Sequence, residues 1–290
     1  MRTKTDAEFF EAVQQQETDA GALYGNIAKL LKKPEERETL LAISKEEYKH
    51  AATFAKYSGQ TKKPRRLFVG LVTLCARVLG YTFIIKYLEN GEDLGIEAYR
   101  ERIDQIPELA AILEEEESHE QKLMALLDEE RLHYVGDIVL GMNDALVELT
   151  GALAGYTLAM QNTGLIAMAG LITGISATLS MTASGYLSAR EAGEKNPAKS
   201  SAYTGIAYLV TVALLIIPYL LVPAGGYFLA LGITLAIALL IIAGFNYYTS
   251  VVRERPFRKS FLTMAAISLG VAAVSFFVGL IVKNVLGIDL

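Results

Sequence analysis

Along residues 6–31, apolar side chains recur at three- and four-residue steps: Phe9, Phe10, Val13, Ala20, Leu23, Tyr24, Ile27 and Leu30. That is the period of a helix with one buried face. Lys32-Lys33-Pro34 breaks it, and Pro34 followed by acidic residues predicts a second helix over 34–57. A basic loop, 60–66, leads into a long third segment, 67–104, whose first half is very apolar. Arg77 near the middle of that half opposes a membrane crossing, because a central arginine costs about 2.5–3.5 kcal/mol in hydrocarbon. Lys86 near its end adds to this. The pattern favours a helix that is buried or lies on a membrane surface. A fourth helix is predicted from Pro107 to about 132, nearly continuous with the apolar stretch that begins at 135.

From 135 onward the pattern changes. Five apolar stretches, 135–160, 164–189, 202–222, 226–250 and 260–283, each approach the ~20 residues that a helix needs to cross a bilayer. Residues 1–133 hold 19 of the 27 Lys/Arg and 25 of the 32 Asp/Glu, so the net charge of −5 averages two unlike halves. The expected fold is all-α: a four-helix bundle over 1–132, then a five-helix transmembrane bundle over 133–290. The loops 190–200 and 251–259 are basic, whereas Gln161-Asn162-Thr163 and the Pro223–Gly226 turn are uncharged. The positive-inside rule then puts the N-terminal domain in the cytoplasm and the C-terminus outside. The start, MRTKTDAEFF, lacks the apolar stretch of a signal peptide, which agrees with an inner-membrane protein whose N-terminal domain stays inside. Cys75 is the single cysteine, which excludes an internal disulfide and a thiolate-rich metal site. No basic patch carries interleaved aromatics, so nucleic acid is not an expected partner.

Two of the three histidines sit in Glu-x-x-His units, Glu47/His50 and Glu116/His119. Residues three apart share a helix face, so each unit can offer a carboxylate and an imidazole to one point. Di-iron bundles combine two such units with a glutamate from each of two other helices. Glu17 is the candidate on the first helix, and Glu89 and Glu92 are candidates on the third. Glu17 lies about 15 residues before the first turn, with Glu47 and His50 about 14–17 after it; Glu92 lies about 14 before the second, with Glu116 and His119 about 10–13 after it. Antiparallel hairpins would bring all of them to one depth. Glu114, Glu115 and Glu117 read as solvated surface, and His133 as an interfacial residue. Oxygen and imidazole ligands suit iron or manganese, with zinc as a further alternative.

On Glu17, Glu47-x-x-His50, Glu89-Asn90-Gly91-Glu92 and Glu116-x-x-His119, residues 6–132 resemble the rubrerythrin branch of the ferritin-like superfamily. The resemblance implies a di-iron centre and makes Tyr24, seven residues after Glu17, a tyrosine near the metals.

The first span holds Asp137, Asp144 and Glu148, spaced by seven and four and so within about 40° on one face at 100° per residue. Carboxylates at membrane depth are costly and usually face a polar pathway. Met181 in the second span offers a soft thioether that favours transition metals. Gly151-x-x-x-Gly155 and Gly170-x-x-x-Gly174 suit close helix contact, either within the bundle or between copies. Residues 132–285 resemble the vacuolar iron transporter family, through Gly136-Asp137-Ile138-Val139-Leu140-Gly141-Met142-Asn143-Asp144-Ala145-Leu146 and Ser180-Met181-Thr182-Ala183-Ser184-Gly185-Tyr186-Leu187-Ser188. The resemblance implies a homodimer exchanging Fe²⁺ for protons, with Asp144 and Met181 in the pore. Plant and fungal members often carry Glu at the position of Tyr186 and a long acidic insert between the second and third spans; here that loop is short. The N-terminal bundle is then expected to collect the metal in its place. The whole chain resembles membrane-bound ferritin-like iron exporters. The competing expectation is an enzyme, a membrane-anchored di-iron oxidase or peroxidase; ferroxidase activity at the bundle is compatible with either reading.

Overall fold

The computed structural model describes residues 6–88, 99, 106–125, 134–253 and 255–286, and among them the regular structure is entirely helical. The chain divides into two compact units, Met1–Glu129 and Glu130–Leu290.

The first unit contains α1 (Asp6–Ala28), α2 (Pro34–Ser58), α3 (Arg66–Leu79), a further helical stretch at 81–88, and α4 (Glu108–Ala125). Pro34 opens α2 with Glu35 and Glu36 in its first turn, and Gly59 closes it at φ 68°. Acidic residues beside the positive end of the helix dipole and a left-handed glycine after the last turn are what such a helix needs. α1 and α2 form a tight hairpin. A side chain at Gly21 would press on the Ser44 carbonyl and the Tyr48 ring at about 3.1 Å, and Ser44 Oγ donates to the Gly21 carbonyl at 2.6 Å. The basic loop is pinned along α1. Asp19 accepts from the Arg65 backbone N–H and from its Nε, at 2.8 and 2.6 Å, and Lys62 pairs with Glu11 at 2.9 Å.

The third segment differs from the single helix expected over 67–104. α3 ends at Leu79, Gly80 turns at φ 97° and ψ 149°, and the helix resumes at 81. That backbone conformation is open to glycine and disfavoured for residues with a Cβ. The apolar run on both sides masked the break.

The second unit contains α5 (Val135–Met160), α6 (Thr163–Glu191), α7 (Pro197–Leu221), a short 3₁₀ turn at Ala224–Gly226, α8 (Tyr227–Arg253) and α9 (Phe257–Leu286). Five helical segments here are long and apolar enough to cross a membrane. α5 is central and packs chiefly on α9 and α7. Its buried Leu146, Leu149 and Leu153 meet Tyr208, Val212, Leu215 and Tyr219 of α7. The small residues have definite uses. Gly151 and Gly155 face Val271 and Ser275 of α9, while Gly170 and Gly174 face Leu153, Ile216 and Val212. Both spacings therefore serve packing inside one chain, where a missing side chain lets backbones approach. Several buried hydroxyls are satisfied by their own helices: Thr157, Thr178 and Thr211 donate to the carbonyls of Leu153, Gly174 and Ala207, at 2.7, 2.7 and 2.8 Å. In hydrocarbon each unpaired group would cost several kcal/mol, on the order of 2–7.

Candidate metal centre

The hairpin α1–α2 and helix α4 bring Glu17, Glu47, His50 and Glu116 together, all buried, with ligand atoms within 4.8 Å of one another. The hairpin register predicted this level match. His50 Nδ1 lies 2.9 Å from Glu116 Oε1 and 3.9 Å from both Glu17 Oε2 and Glu47 Oε2. His119 Nδ1 lies 3.1 Å from Glu47 Oε1 and 3.5 Å from Glu116 Oε2. Glu47 and Glu116 thus stand between the two imidazoles, whose centroids are 5.8 Å apart, and Glu17 stands on the His50 side. Glu89 and Glu92 lie outside the described residues, as does His133. Tyr24 is fully buried in the bundle core.

Two carboxylates that the motif left aside complete the arrangement. His50 Nε2 is 2.6 Å from Glu115, and His119 Nε2 is 2.6 Å from Glu46. Glu115, read as solvated surface, is exposed and in addition turns its carboxylate onto His50 of the other helix. A signal existed: both units are Glu-Glu-x-x-His, Glu46-Glu47-Tyr48-Lys49-His50 and Glu115-Glu116-Glu117-Ser118-His119. The first glutamate of each crosses to the histidine of the other. Tyr99, also missed, donates to Glu17 Oε1 at 2.7 Å.

This donor set fits metal ions. Both Nε2 atoms are held outward by carboxylates, which leaves both Nδ1 atoms inward; histidine ligands are commonly held this way by an outer acceptor. His50 Nδ1, His119 Nδ1 and Glu116 Oε1 are buried and make no properly aligned hydrogen bond. Groups that expensive to bury converge on a shared point. Glu17, Glu47, His50, Glu116 and His119 would hold the ions, and the nitrogen–oxygen set without sulfur suits iron or manganese.

The titratable groups of the cluster shift one another. Burial works against charge on His50, but the adjoining Glu116, Glu17 and Glu115 outweigh it and carry its pKa up to about 9. Burial would likewise raise Glu116, yet His119 and His50 hold it down to about 2. Glu17 is raised, chiefly by burial, with Glu116 adding to it against Glu47, His50 and Tyr99.

In the second unit, Asp137 accepts from Ser200 Oγ and Glu148 from Tyr208 Oη, both at 2.8 Å. Neither partner from α7 was legible in the pattern. Asp144 lines an open cleft of about 400 Å³ with Gly136, Val139, Leu140, Asn143, Val147 and Met264. The thioether at this cleft is therefore Met264 of α9. Met181 is half-buried against the apolar core of the unit. Glu148 is exposed on the outside of the single chain.

A family model for rubrerythrin matches residues 8–135, and one for the VIT family matches residues 135–195. No curated protein matches the chain. The first match contains every residue of the buried cluster; the second contains Asp137, Asp144, Glu148 and Met181. The chain joins a rubrerythrin segment, which speaks for di-iron binding, to a VIT segment, which speaks for metal transport through a membrane.

Proposed function

We propose that the protein exports ferrous iron, and also manganese, from the cytosol across the cell's inner membrane in exchange for protons, working as a homodimer. The observation that carries this reading is the row of carboxylates on α5, with Asp144 in an open cleft and Glu148 exposed on an otherwise apolar span. A pure anchor would gain nothing from carboxylates there, and charge at membrane depth is costly. A second copy placed against this face of α5 would shield Glu148 from lipid and close a pathway lined by two sets of Asp144, with Met264 and Met181 as soft donors. Carboxylates that release a proton when they take a divalent cation supply the coupling. The cytoplasmic bundle collects the metal at Glu17, Glu47, His50, Glu116 and His119, joined by Glu89 or Glu92. A loaded di-iron centre also supplies ferroxidase chemistry when dioxygen or peroxide is the oxidant.

The test is metal flux in proteoliposomes of the purified full chain, comparing Fe²⁺ with Mn²⁺ across an imposed pH gradient. Flux driven by the gradient, with counter-movement of protons, is expected. Turnover of dioxygen or peroxide without flux would replace this reading with that of a membrane-anchored oxidase or peroxidase.

A further inference from the structure

α3 leaves one face uncovered by the bundle. Leu67, Leu71 and Leu74 are 86%, 64% and 55% exposed. Spaced by four and three, they form one stripe. Among the described residues of the first unit they are the only large aliphatic side chains so exposed. The opposite side, Val69 and Ala76, is buried. The stripe sits in an unusual charge setting. Residues 60–88 contain Lys62, Lys63, Arg65, Arg66, Arg77 and Lys86 and no acidic residue, within a half of the chain that is otherwise rich in acids. Beside the stripe is a cleft of about 370 Å³ lined by Asn26, Lys29, Gly70, Thr73, Leu74 and Arg77. The Asp19–Arg65 contacts hold the start of α3 in place, so the face is presented rigidly.

We propose that α3 docks the N-terminal unit on the headgroup layer of an anionic bilayer. The leucines enter the acyl boundary, Lys63, Arg66 and Arg77 meet lipid phosphates, and the Lys29–Arg77 cleft takes a headgroup. A basic amphipathic helix with exposed leucines is the form that such surfaces bind. Five spans in the same chain keep a bilayer always within reach. A second copy of this chain fits the face less well, because a two-fold contact sets a patch against itself and would oppose cation to cation.

Cys75 is exposed on α3 and is the only cysteine, so it reports on this face without mutation. An environment-sensitive thiol probe on Cys75 is read in full-length protein in nanodiscs of phosphatidylglycerol, of phosphatidylcholine, and in detergent. In the anionic discs the probe should shift to the blue and be quenched by a shallow lipid-borne quencher. Adding salt should weaken both signals. R66Q with R77Q should lower the anionic preference by roughly tenfold or more. L67Q/L71Q/L74Q should abolish the shift, and metal loading of the bundle, measured on the same sample, should be unchanged, which excludes misfolding. A water-exposed signal in anionic discs overturns the proposal, as does equal burial in phosphatidylcholine. Efficient Cys75–Cys75 cross-linking in both lipids would assign the face to a second copy and overturn it too. None of these readouts depends on metal flux.

Discussion

Both units hold carboxylates on their helices, but they finish the task differently. In the bundle, Glu17, Glu47 and Glu116 are buried and face two imidazoles at one depth, so the described part of the site closes within one chain. In the membrane unit, Asp137, Asp144 and Glu148 are spread along α5, two of them tied to hydroxyls of α7 and one at an open cleft. A closed site suits holding an ion. An open row of single carboxylates, each with few ligands, suits passing one along, since conduction needs binding weak enough to release.

The sharpest way to break this comparison is to remove one member of each. Asp144→Ala should reduce metal flux in proteoliposomes to background while metal bound to the bundle stays unchanged. Flux that persists would remove Asp144 from the pathway. Conversely, Glu116→Ala takes away a group shared by both imidazoles. It should weaken metal binding at the bundle roughly 100-fold or more, judged against the 10–100-fold typical of outer-partner losses. Flux at saturating metal should survive, because the pathway itself is intact. Equal loss of both activities would mean that the two units act as one site.

The reciprocal carboxylates give a smaller and more specific effect. Glu115→Gln and Glu46→Gln each keep the shape and remove the charge that orients an imidazole. Each should lower bundle affinity about 10–100-fold, without removing a ligand. Proton competition sharpens this further. His50 keeps its proton up to a pKa of about 9, and a metal ligand must be neutral. Binding therefore expels a proton, and Mn²⁺ affinity measured anaerobically should rise about tenfold per pH unit between pH 6.5 and 8.5. Glu115→Gln removes one of the groups that raise His50, so that slope should flatten at a lower pH. A flat profile in the unaltered protein would mean that His50 is not a ligand.

How much of this was readable depends on how far each contact reaches. Glu47/His50 and Glu116/His119 were legible because three residues along a helix determine a shared face, and Glu17 because hairpin register sets depth. The five spans were legible from length and apolarity alone. Glu46, Glu115 and Tyr99 were not, because their roles depend on which helix lies across the bundle. Gly80 was hidden by the apolar residues around it, since periodicity does not register a single backbone angle. In the membrane unit, uniform apolarity erases the facing signal. Ser200, Tyr208 and Met264 look like any other polar or soft residue in a span until α7 and α9 are placed against α5.

The smallest expected effect probes a loose end among the described residues of the membrane unit. Thr150 lies two residues beyond Glu148 on α5, and its hydroxyl is buried with no hydrogen-bond partner among the described residues, whereas Thr157, Thr178 and Thr211 all bond to their own helices. An unpaired buried hydroxyl costs about 1–3 kcal/mol. Thr150→Val has the same shape without that cost, so it should raise stability by roughly 1 kcal/mol and leave flux unchanged. Thermal unfolding in detergent and proteoliposome flux read the two effects separately. If valine instead lowers flux, the hydroxyl is bonding to a buried group or water that holds α5 in the arrangement transport needs. Two residues turn a helix by about 200°, so Thr150 faces away from Asp144 and Glu148, and such a loss would lie in the packed core of the unit and not in the row on α5.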